Sequence, residues 1–310
     1  MQSRRTFLSH AAAAALLLAP RTGASPQRRP NIILILCDDL GYGDLGCFGA
    51  ADIRTPNLDR MAAEGTRLTD FYCASPVCSP SRSGLLTGCY PARIGMAKGV
   101  LRPDSRAGIH PDETTVAEVL KRGGYATGCI GKWHVGFLPP FRPTARGFDF
   151  YYGLYHNLDV PEAAHFADQG GVPILRNDAV EERPADPNTI TQKYTKEALA
   201  FIREHREHPF FLYLAHTMPH DPIGASDRFR GKSARGLYGD VVEELDWSTG
   251  ALLDLIRALV LEDDTLVLFT SDNGHSPTDA GSAGPLRGLK HTTYEGGMRV
   301  PCLVWGPGRI

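Results

Sequence analysis

Four runs of apolar residues recur along the chain, at residues 31–37, 125–130, 210–215 and 265–270. Each run is mostly continuous rather than alternating between apolar and polar positions. That pattern is typical of strands in a parallel sheet, where helices cover both faces. The four runs therefore predict buried strands.

Segments with helical patterning lie between these strands. They are residues 56–64, 113–122, 191–206 and 239–258. The first has Thr55 as a candidate cap, Pro56 in its first turn and Gly65 at its end. Because strands and helices alternate, we predict an α/β fold with a doubly wound, mostly parallel sheet and helices on both faces.

Polar residues follow every one of the predicted strands. They are, in chain order, Asp38-Asp39, Lys132 with His134, His216, and Asp272-Asn273. In open α/β sheets, ligands bind beyond the carboxyl ends of the strands. The sequence thus predicts one site that holds acids, an asparagine, a lysine and two histidines.

Asp38, Asp39, Asp272 and Asn273 form an all-oxygen ligand set. Such a set suits a hard cation, Ca²⁺ or Mg²⁺, rather than zinc or copper. The alternative is that these side chains cap helices or satisfy loop amides. Because two pairs occur at separate strand ends, we favour a metal site.

The stretch from Gly41 to Gly46 matches the glycine spacing of a dinucleotide-binding loop. That loop requires its third glycine to open a helix directly, but irregular sequence separates Gly46 from the helix predicted at Pro56. Asp38 and Asp39 would also repel a pyrophosphate. We therefore disfavour nucleotide binding.

Cys78 lies in the run Cys78-Ser79-Pro80-Ser81-Arg82. A cysteine beside an arginine can be a reactive thiolate, and it can equally be a buried, inert thiol. The residue types alone leave both open.

Composition narrows the class of protein. The chain has 310 residues, of which 42% are hydrophobic, and a formal net charge of −2. This near-neutral balance gives no support to binding of nucleic acid or anionic membranes. The seven cysteines match no disulfide framework, and no cysteine cluster has zinc-site spacing.

The N-terminus has the layout of an export signal. Arg4 and Arg5 precede a short apolar run and a small-residue exit at residues 22–24. We predict a cleavable signal over residues 1–24, of the twin-arginine type in preference to an ordinary secretory one, and a linker over residues 25–30. The apolar run is too short for a stable membrane anchor, so we expect a periplasmic or secreted protein that uses the export machinery.

Two motifs resemble the signatures of the sulfatase family. The run from Cys78 to Arg82, closed by Thr87-Gly88, is similar to the first signature, and the run from Gly124 to His134 is similar to the second. The similarity extends from Asp38-Asp39 to residues 299–301 and is strongest to the arylsulfatase A-like group. It implies an alkaline phosphatase-like fold.

The resemblance also implies a mechanism for sulfate-ester hydrolysis, on an aryl or carbohydrate leaving group. A formylglycine-generating enzyme would oxidise Cys78 to formylglycine, whose hydrate, activated by the metal, attacks sulfur and forms a covalent sulfo-enzyme intermediate. Arg82 would orient the formylglycine, and Lys132 and Lys290 would neutralise the sulfate oxygens. His216 would protonate the leaving oxygen.

In the same scheme His134 would take a proton from the second hydroxyl and expel sulfate. His220 is a further candidate for binding substrate or supporting the ligands. Family members usually continue beyond the equivalent of Ile310 with a smaller antiparallel sheet, so we expect the catalytic domain over residues 31–310 to be truncated. Two rival functions remain: phosphonate or phosphate monoester hydrolysis, and non-catalytic binding of sulfated glycans.

Overall fold

The fold is described from a computed structural model that covers residues 29–278 and 280–310, without the side chains of residues 160 and 161. In this part of the chain the strands form one nine-stranded sheet, in the order β2-β9-β8-β1-β7-β3-β4-β5-β6. The strands are β1 Asn31–Cys37, β2 Thr66–Leu68, β3 Ala126–Lys132, β4 Phe150–Leu154, β5 Ile174–Arg176, β6 Ala179–Glu182, β7 Phe210–Ala215, β8 Thr265–Ser271 and β9 Cys302–Trp305.

Five neighbouring strands at the centre of the sheet, β8, β1, β7, β3 and β4, are parallel. The outer strands β2, β9, β5 and β6 are antiparallel to their neighbours. Because the central strands run in one direction, their carboxyl ends meet at a single edge of the sheet. This arrangement confirms the predicted mostly parallel α/β fold.

The α-helices of the described residues lie between and after these strands. They are α1 Pro56–Glu64, α2 Cys78–Thr87, α3 Val116–Arg122, α4 Val160–His165, α5 Ile190–His205, α6 Gly236–Ala258 and α7 Glu295–Met298. The four predicted strands and four predicted helices are all present, with ends that differ from the prediction by up to three residues.

Both faces of the sheet are buried, and β1 shows how its residues divide between them. Ile33 and Ile35 belong to one apolar core, and Leu34 and Leu36 belong to a second core on the other face. Residues of α1, α5 and α6 contribute to the first core, while Leu86 of α2 and Ala117 of α3 contribute to the second. Successive strand residues point to opposite faces, so the continuous apolar run is explained by helices on both sides.

Helix α2 and the short strands were not predicted, and the cap of α1 was predicted wrongly. Thr55 precedes α1, but its hydroxyl accepts from the amide of Gly46 and donates to Asp59 instead of capping the helix. Asp246 of α6 accepts from the amides of Asn57 and Leu58 in its place. A long-range carboxylate thus satisfies the first turn of α1, which local sequence could not indicate.

The glycine-rich stretch after β1 does not open an α-helix. Only a short 3₁₀ turn, Gly46–Phe48, follows it, as expected for a stretch that does not bind a dinucleotide.

No helix within residues 29–278 and 280–310 combines the length and apolar character needed to cross a membrane. All seven cysteines are described and are free thiols. The predicted signal over residues 1–24 lies outside the described residues.

Candidate active site

Two acid-bearing strand ends meet at the carboxyl edge of the sheet. Asp38 and Asp39 follow β1, while Asp272 and Asn273 follow the neighbouring β8, and all four are at most 1% exposed. The amide of Asp39 donates to Asp272 Oδ1 at 3.2 Å, and Asn273 Nδ2 donates to Asp39 Oδ1 at 2.6 Å. Three of the four predicted oxygen ligands, Asp39, Asp272 and Asn273, are therefore joined by hydrogen bonds, and Asp38 adjoins Asp39 in the chain.

Each of the three carboxylates has a different buried cation at hydrogen-bond distance, and Asp38 also lies 3.6 Å from Arg82 Nη2. The pairs are Lys132 Nζ with Asp38 Oδ2 at 2.5 Å, Lys290 Nζ with Asp39 Oδ2 at 2.6 Å, and Arg82 Nε with Asp272 Oδ2 at 2.9 Å. Acids and cations are equal in number, so their formal charges cancel. Since unpaired buried charges are strongly unfavourable, each member of this set depends on its partners. We call Cys78 and these six residues the charged floor.

Cys78 is the first residue of α2 and is 1% exposed. Its Sγ lies 3.5 Å from Asp38 Oδ1. The amides of the first helical turn and the helix dipole favour negative charge at this end of α2. The helix closes at Gly88, whose φ of 68° is in the left-handed region that glycine adopts readily.

The floor has the composition of a hard-cation site. Ligand atoms of Asp38, Asp39, Cys78 and His220 lie within 4.8 Å of one another. Asn273 Oδ1 is buried and has no hydrogen-bond partner, although buried acceptors are normally satisfied. Three carboxylates and this free amide oxygen are the donor types that Ca²⁺ and Mg²⁺ prefer. These residues fit the predicted cation.

The charges of the floor shift the pKa values of its acids in opposite directions. Burial opposes ionisation of Asp38, but Lys132, His220 and Arg82 outweigh it and hold the pKa of Asp38 well below its ordinary value. Burial, together with the neighbouring Asp38, raises the pKa of Asp272 to about 6. An additional positive charge beside Asp272 therefore favours its ionised form.

His134 has the contacts of a proton acceptor. Its Nε2 lies 2.8 Å from the carbonyl oxygen of Leu101, which only accepts, so Nε2 carries the proton. Nδ1 is buried without a hydrogen-bond partner. Burial first, and then the cations Lys132 and Arg82, lower the pKa of His134 well below its ordinary value. The ring is thus neutral, with a free lone pair on Nδ1, and its φ of 60° places the residue in a sparsely populated conformation.

His216 does not lie where we predicted. Its Nε2 is 3.4 Å from Ser248 Oγ of α6, and its ring lies beside Tyr194 of α5. It is 1% exposed, and burial lowers its pKa to about 3. The side chain therefore packs between helices under the sheet edge, and its described contacts do not include the carboxylates of the floor.

His220 occupies the position that we expected for His216. Its Nε2 lies 3.7 Å from Asp39 Oδ2, and its Nδ1 lies 2.7 Å from the carbonyl oxygen of Asp221. Burial disfavours its charged form, but Asp38 and Asp39 outweigh burial and raise the pKa of His220 to about 10. The reason is a turn after β7, tied to β1 by a bond from the Asp38 amide to the Met218 carbonyl, which returns the chain over the acids.

Two polar residues after β4 were missed by the sequence analysis. Asn157 is 4% exposed, and its Nδ2 lies 3.4 Å from His220 Nε2. His156 is 3% exposed, with its ring 6.1 Å from that of His134 and both nitrogens without hydrogen-bond partners. Both residues lie just after β4, so the expectation that site residues follow the strand ends would have identified them. It did not, because β4 was not predicted as a strand.

A cavity of about 340 Å³ opens above the floor. Cys78, Lys290, His220 and Asn157 line its inner part. More exposed side chains line its mouth, and we call them the rim: Arg102, Asp159, Asp221, Thr278 and His291. The site thus combines a buried ionic floor with an accessible polar opening, which is suited to an anionic group carried on a polar molecule.

Comparison with known proteins agrees with this geometry. The profile of the sulfatase family matches residues 30–310. N-acetylgalactosamine-6-sulfatase from Homo sapiens is 44% identical over 307 residues, which cover 91% of this chain and 58% of the relative. Arylsulfatase A from Homo sapiens is 44% identical over 316 residues, covering 95% and 62% respectively. The chain therefore spans about three fifths of the length of these relatives.

Solved structures show the same fold. The crystal structure of Ps i-CgsB superposes with a TM-score of 0.82 at 36% identity, covering 91% of this chain and 67% of that one. PsFucS1 sulfatase from Pseudoalteromonas sp. gives a TM-score of 0.82 at 30% identity, covering 100% and 68%. With a matching family profile over nearly all the described residues and relatives of this identity, the chain belongs to the sulfatase family.

Proposed function

We propose that this chain hydrolyses sulfate esters, using formylglycine made from Cys78 and a Ca²⁺ or Mg²⁺ ion held by Asp38, Asp39, Asp272 and Asn273. The observation that carries the proposal is the contact of Cys78, at the N-terminus of a buried helix, with Asp38, which belongs to a cluster of three acids paired with three buried cations. The names of the relatives support a sulfated sugar or an aryl sulfate as substrate.

The charge balance of the floor fits a sulfate ester. The three cations neutralise the three carboxylates, so a divalent ion together with a protonated His220 beside Asp39 would give the site a net charge of about +3. A bound sulfate ester then restores neutrality in part, and the negative charge that develops on its oxygens is stabilised in a dry environment. The bound ion would polarise the sulfate and the formylglycine oxygen.

The cationic residues of the floor have separate roles in the proposed reaction. Arg82, bonded to Asp272 and to the Lys132 carbonyl, holds the start of α2 in place. Lys132 and Lys290, which pair with Asp38 and Asp39 here, would neutralise the sulfate oxygens if those carboxylates held a cation.

Two histidines would move the protons. His220, at the inner wall of the cavity, is placed to protonate the leaving alcohol from Nε2, because its Nδ1 is engaged by the Asp221 carbonyl. His134, neutral and with Nδ1 free, is suited to accept the proton when sulfate leaves. This assignment replaces His216 with His220.

Peptide mass spectrometry across Cys78, on protein from a host with a formylglycine-generating enzyme, tests the proposal together with turnover assays. We expect the aldehyde at residue 78 and turnover of 4-nitrophenyl sulfate in the same sample. An intact thiol in fully active protein would overturn the mechanism. Faster turnover of a matched aryl phosphonate ester than of the sulfate would instead favour phosphonate hydrolysis.

We further propose that the protein is exported to the periplasm or beyond by the twin-arginine route. Because that route carries folded proteins and Cys78 is buried in the fold, conversion must precede folding and export. Mass spectrometry of cytoplasmic precursor should therefore already show the aldehyde. Precursor that carries only the thiol, alongside converted exported protein, would contradict this order.

A further inference from the structure

We infer that Arg102, Asp159 and Asn157, supported by Glu162, form a subsite that recognises hydroxyl groups of the leaving alcohol and selects a monosulfated, otherwise uncharged sugar. The inference rests on the proposed function, since it concerns the alcohol part of the same substrate. It depends on Arg102 and Asp159 of the rim, on Asn157 of the inner cavity wall and on Glu162 behind them, none of which the proposed chemistry uses.

The first observation is how firmly these residues are attached to the floor. The amide of Leu101 donates to Ser79 Oγ at 2.9 Å, and its carbonyl oxygen accepts from His134 Nε2 at 2.8 Å. Arg102 therefore follows a residue bonded both to the helix turn next to Cys78 and to a proposed proton acceptor. Asn157 is held beside His220. Both segments have fixed positions relative to the reacting group.

The second observation is a pair of buried polar side chains with unpartnered atoms. Asn157 lines the cavity wall and is almost fully buried, and one atom of its amide faces His220 Nε2 while the other has no hydrogen-bond partner. A protonated His220 turns Oδ1 toward Nε2 and leaves Nδ2 for a ligand, whereas a neutral one leaves Oδ1. Asp159 also lines the cavity, and its Oδ1 lacks a partner, although the residue stands at the N-cap position of α4, where carboxylates usually accept amides. Buried polar groups are normally satisfied, so these atoms point to partners supplied by a ligand.

The third observation is the charge around Arg102. Its Nη1 lies 3.8 Å from Asp159 Oδ2 and 3.6 Å from Glu162 Oε1, distances of ion pairs rather than hydrogen bonds. The guanidinium is 46% exposed, whereas the Glu162 side chain is fully buried. The N–H groups of Arg102 thus remain available to a ligand, while its charge is already balanced.

The net charge around Arg102 determines what kind of ligand group can bind there. Burial, and then the neighbouring Asp159 carboxylate, raises the pKa of Glu162 to about 7. The formal charges of Arg102, Asp159 and Glu162 add up to zero when Glu162 is protonated and to −1 when it is ionised. A second sulfate or a carboxylate would gain nothing there. Hydroxyl groups, which donate to carboxylates and accept from guanidinium N–H groups, match the trio.

The experiment compares two substrates that share a sulfate and differ in the alcohol. For converted wild type, Asp159→Asn and Arg102→Gln, kcat/KM is measured on galactose 6-sulfate and on 4-nitrophenyl sulfate. We expect each variant to lower kcat/KM for the sugar at least tenfold and for the aryl ester less than twofold, because a site built to hydrogen-bond a hydroxyl discriminates strongly. Asp104→Asn is the matched control, since this exposed carboxylate lies in the same loop, two residues from Arg102; it should leave both substrates unchanged.

Equal losses on the two substrates, or no loss on the sugar, would overturn the inference. So would a wild-type preference for galactose carrying a second sulfate over galactose 6-sulfate. Binding of galactose 6-sulfate to Cys78→Ala protein, with and without Asp159→Asn, supplies a readout that needs no turnover. If Cys78→Ala/Asp159→Asn binds galactose 6-sulfate with a tenfold weaker Kd than Cys78→Ala, while converted wild-type protein turns over neither ester, the subsite is upheld and the proposed function is rejected. An unchanged Kd, or no binding at all, would reject the subsite.

Discussion

The charged floor and the rim lie a few ångströms apart but are built in different ways. The six charged residues of the floor have side chains at most 6% exposed, and each carboxylate pairs with a cation at 2.5–2.9 Å. In the rim, Arg102 and Asp159 are 46% and 26% exposed, and their charges are 3.8 Å apart. Four floor residues stand at or directly after strand ends, whereas the rim residues lie in loops. On the proposed function, the sheet would hold the reacting groups, and loops outside the sheet would select the alcohol.

The strongest test of the floor is Cys78→Ala. Removal of the nucleophile should reduce kcat on 4-nitrophenyl sulfate by about 10⁴-fold or more, while thermal unfolding changes little. Cys302→Ala is the matched control, because Cys302 is an equally buried thiol on β9; it should cost about 1 kcal/mol of stability and leave activity intact. Retained activity in Cys78→Ala would contradict the assignment of Cys78 and the charged floor to the reaction.

Removal of the metal should have the next largest effect. After treatment with a chelator and dialysis, kcat should fall on the order of 10³-fold, since several kcal/mol of charge stabilisation are lost. The fold should persist, because the three acids keep their three cations. Addition of Ca²⁺ or Mg²⁺ then restores activity and identifies the preferred ion, with metal-saturated chelator as the control. Full activity of metal-free protein, verified by elemental analysis, would refute the oxygen site.

Substitution of His220 and of His216, which both follow β7, tests which histidine donates the proton. His220→Ala should lower kcat about 10²-fold on an alkyl or sugar sulfate and much less on 4-nitrophenyl sulfate, whose leaving group needs no proton. His216→Ala should leave kcat on both substrates within a few-fold and cost about 2 kcal/mol of stability, because it empties a buried position. The reverse pattern of kinetics and thermal unfolding would restore His216 as the proton donor.

The smallest effect is expected at the rim. Thr278 Oγ1 donates to Asp221 Oδ2 at 2.6 Å in an exposed pair. Thr278→Val should change kcat/KM on 4-nitrophenyl sulfate less than twofold, since exposed contacts contribute at most about 1 kcal/mol. A tenfold loss in that assay would show that the rim takes part in the reaction itself and that the two regions are not separable.

The sequence predicted the floor better than the rim for a physical reason. Parallel strands bring Asp38, Lys132 and Asp272 to one edge whatever the loops do, so the apolar runs were enough to place them. His220 could not be placed in this way, because a turn stabilised by a bond from β1 returns it to the acids. Helix α2 also escaped prediction, since its serines and Pro80 favour a helix only weakly and its burial among the sheet and loops determines its structure.

The burial of Cys78 has a consequence for any preparation of this protein. Only 1% of the residue is exposed once α2 is packed, so the conversion that we propose would compete with folding for the same newly made chain. The active fraction would then be the ratio of the conversion rate to the sum of the conversion and folding rates. A lower growth temperature that slows folding more than conversion would raise that fraction, whereas a mutation that speeds the packing of α2 would lower it. Specific activity would thus depend on these two rates as well as on the geometry of the site.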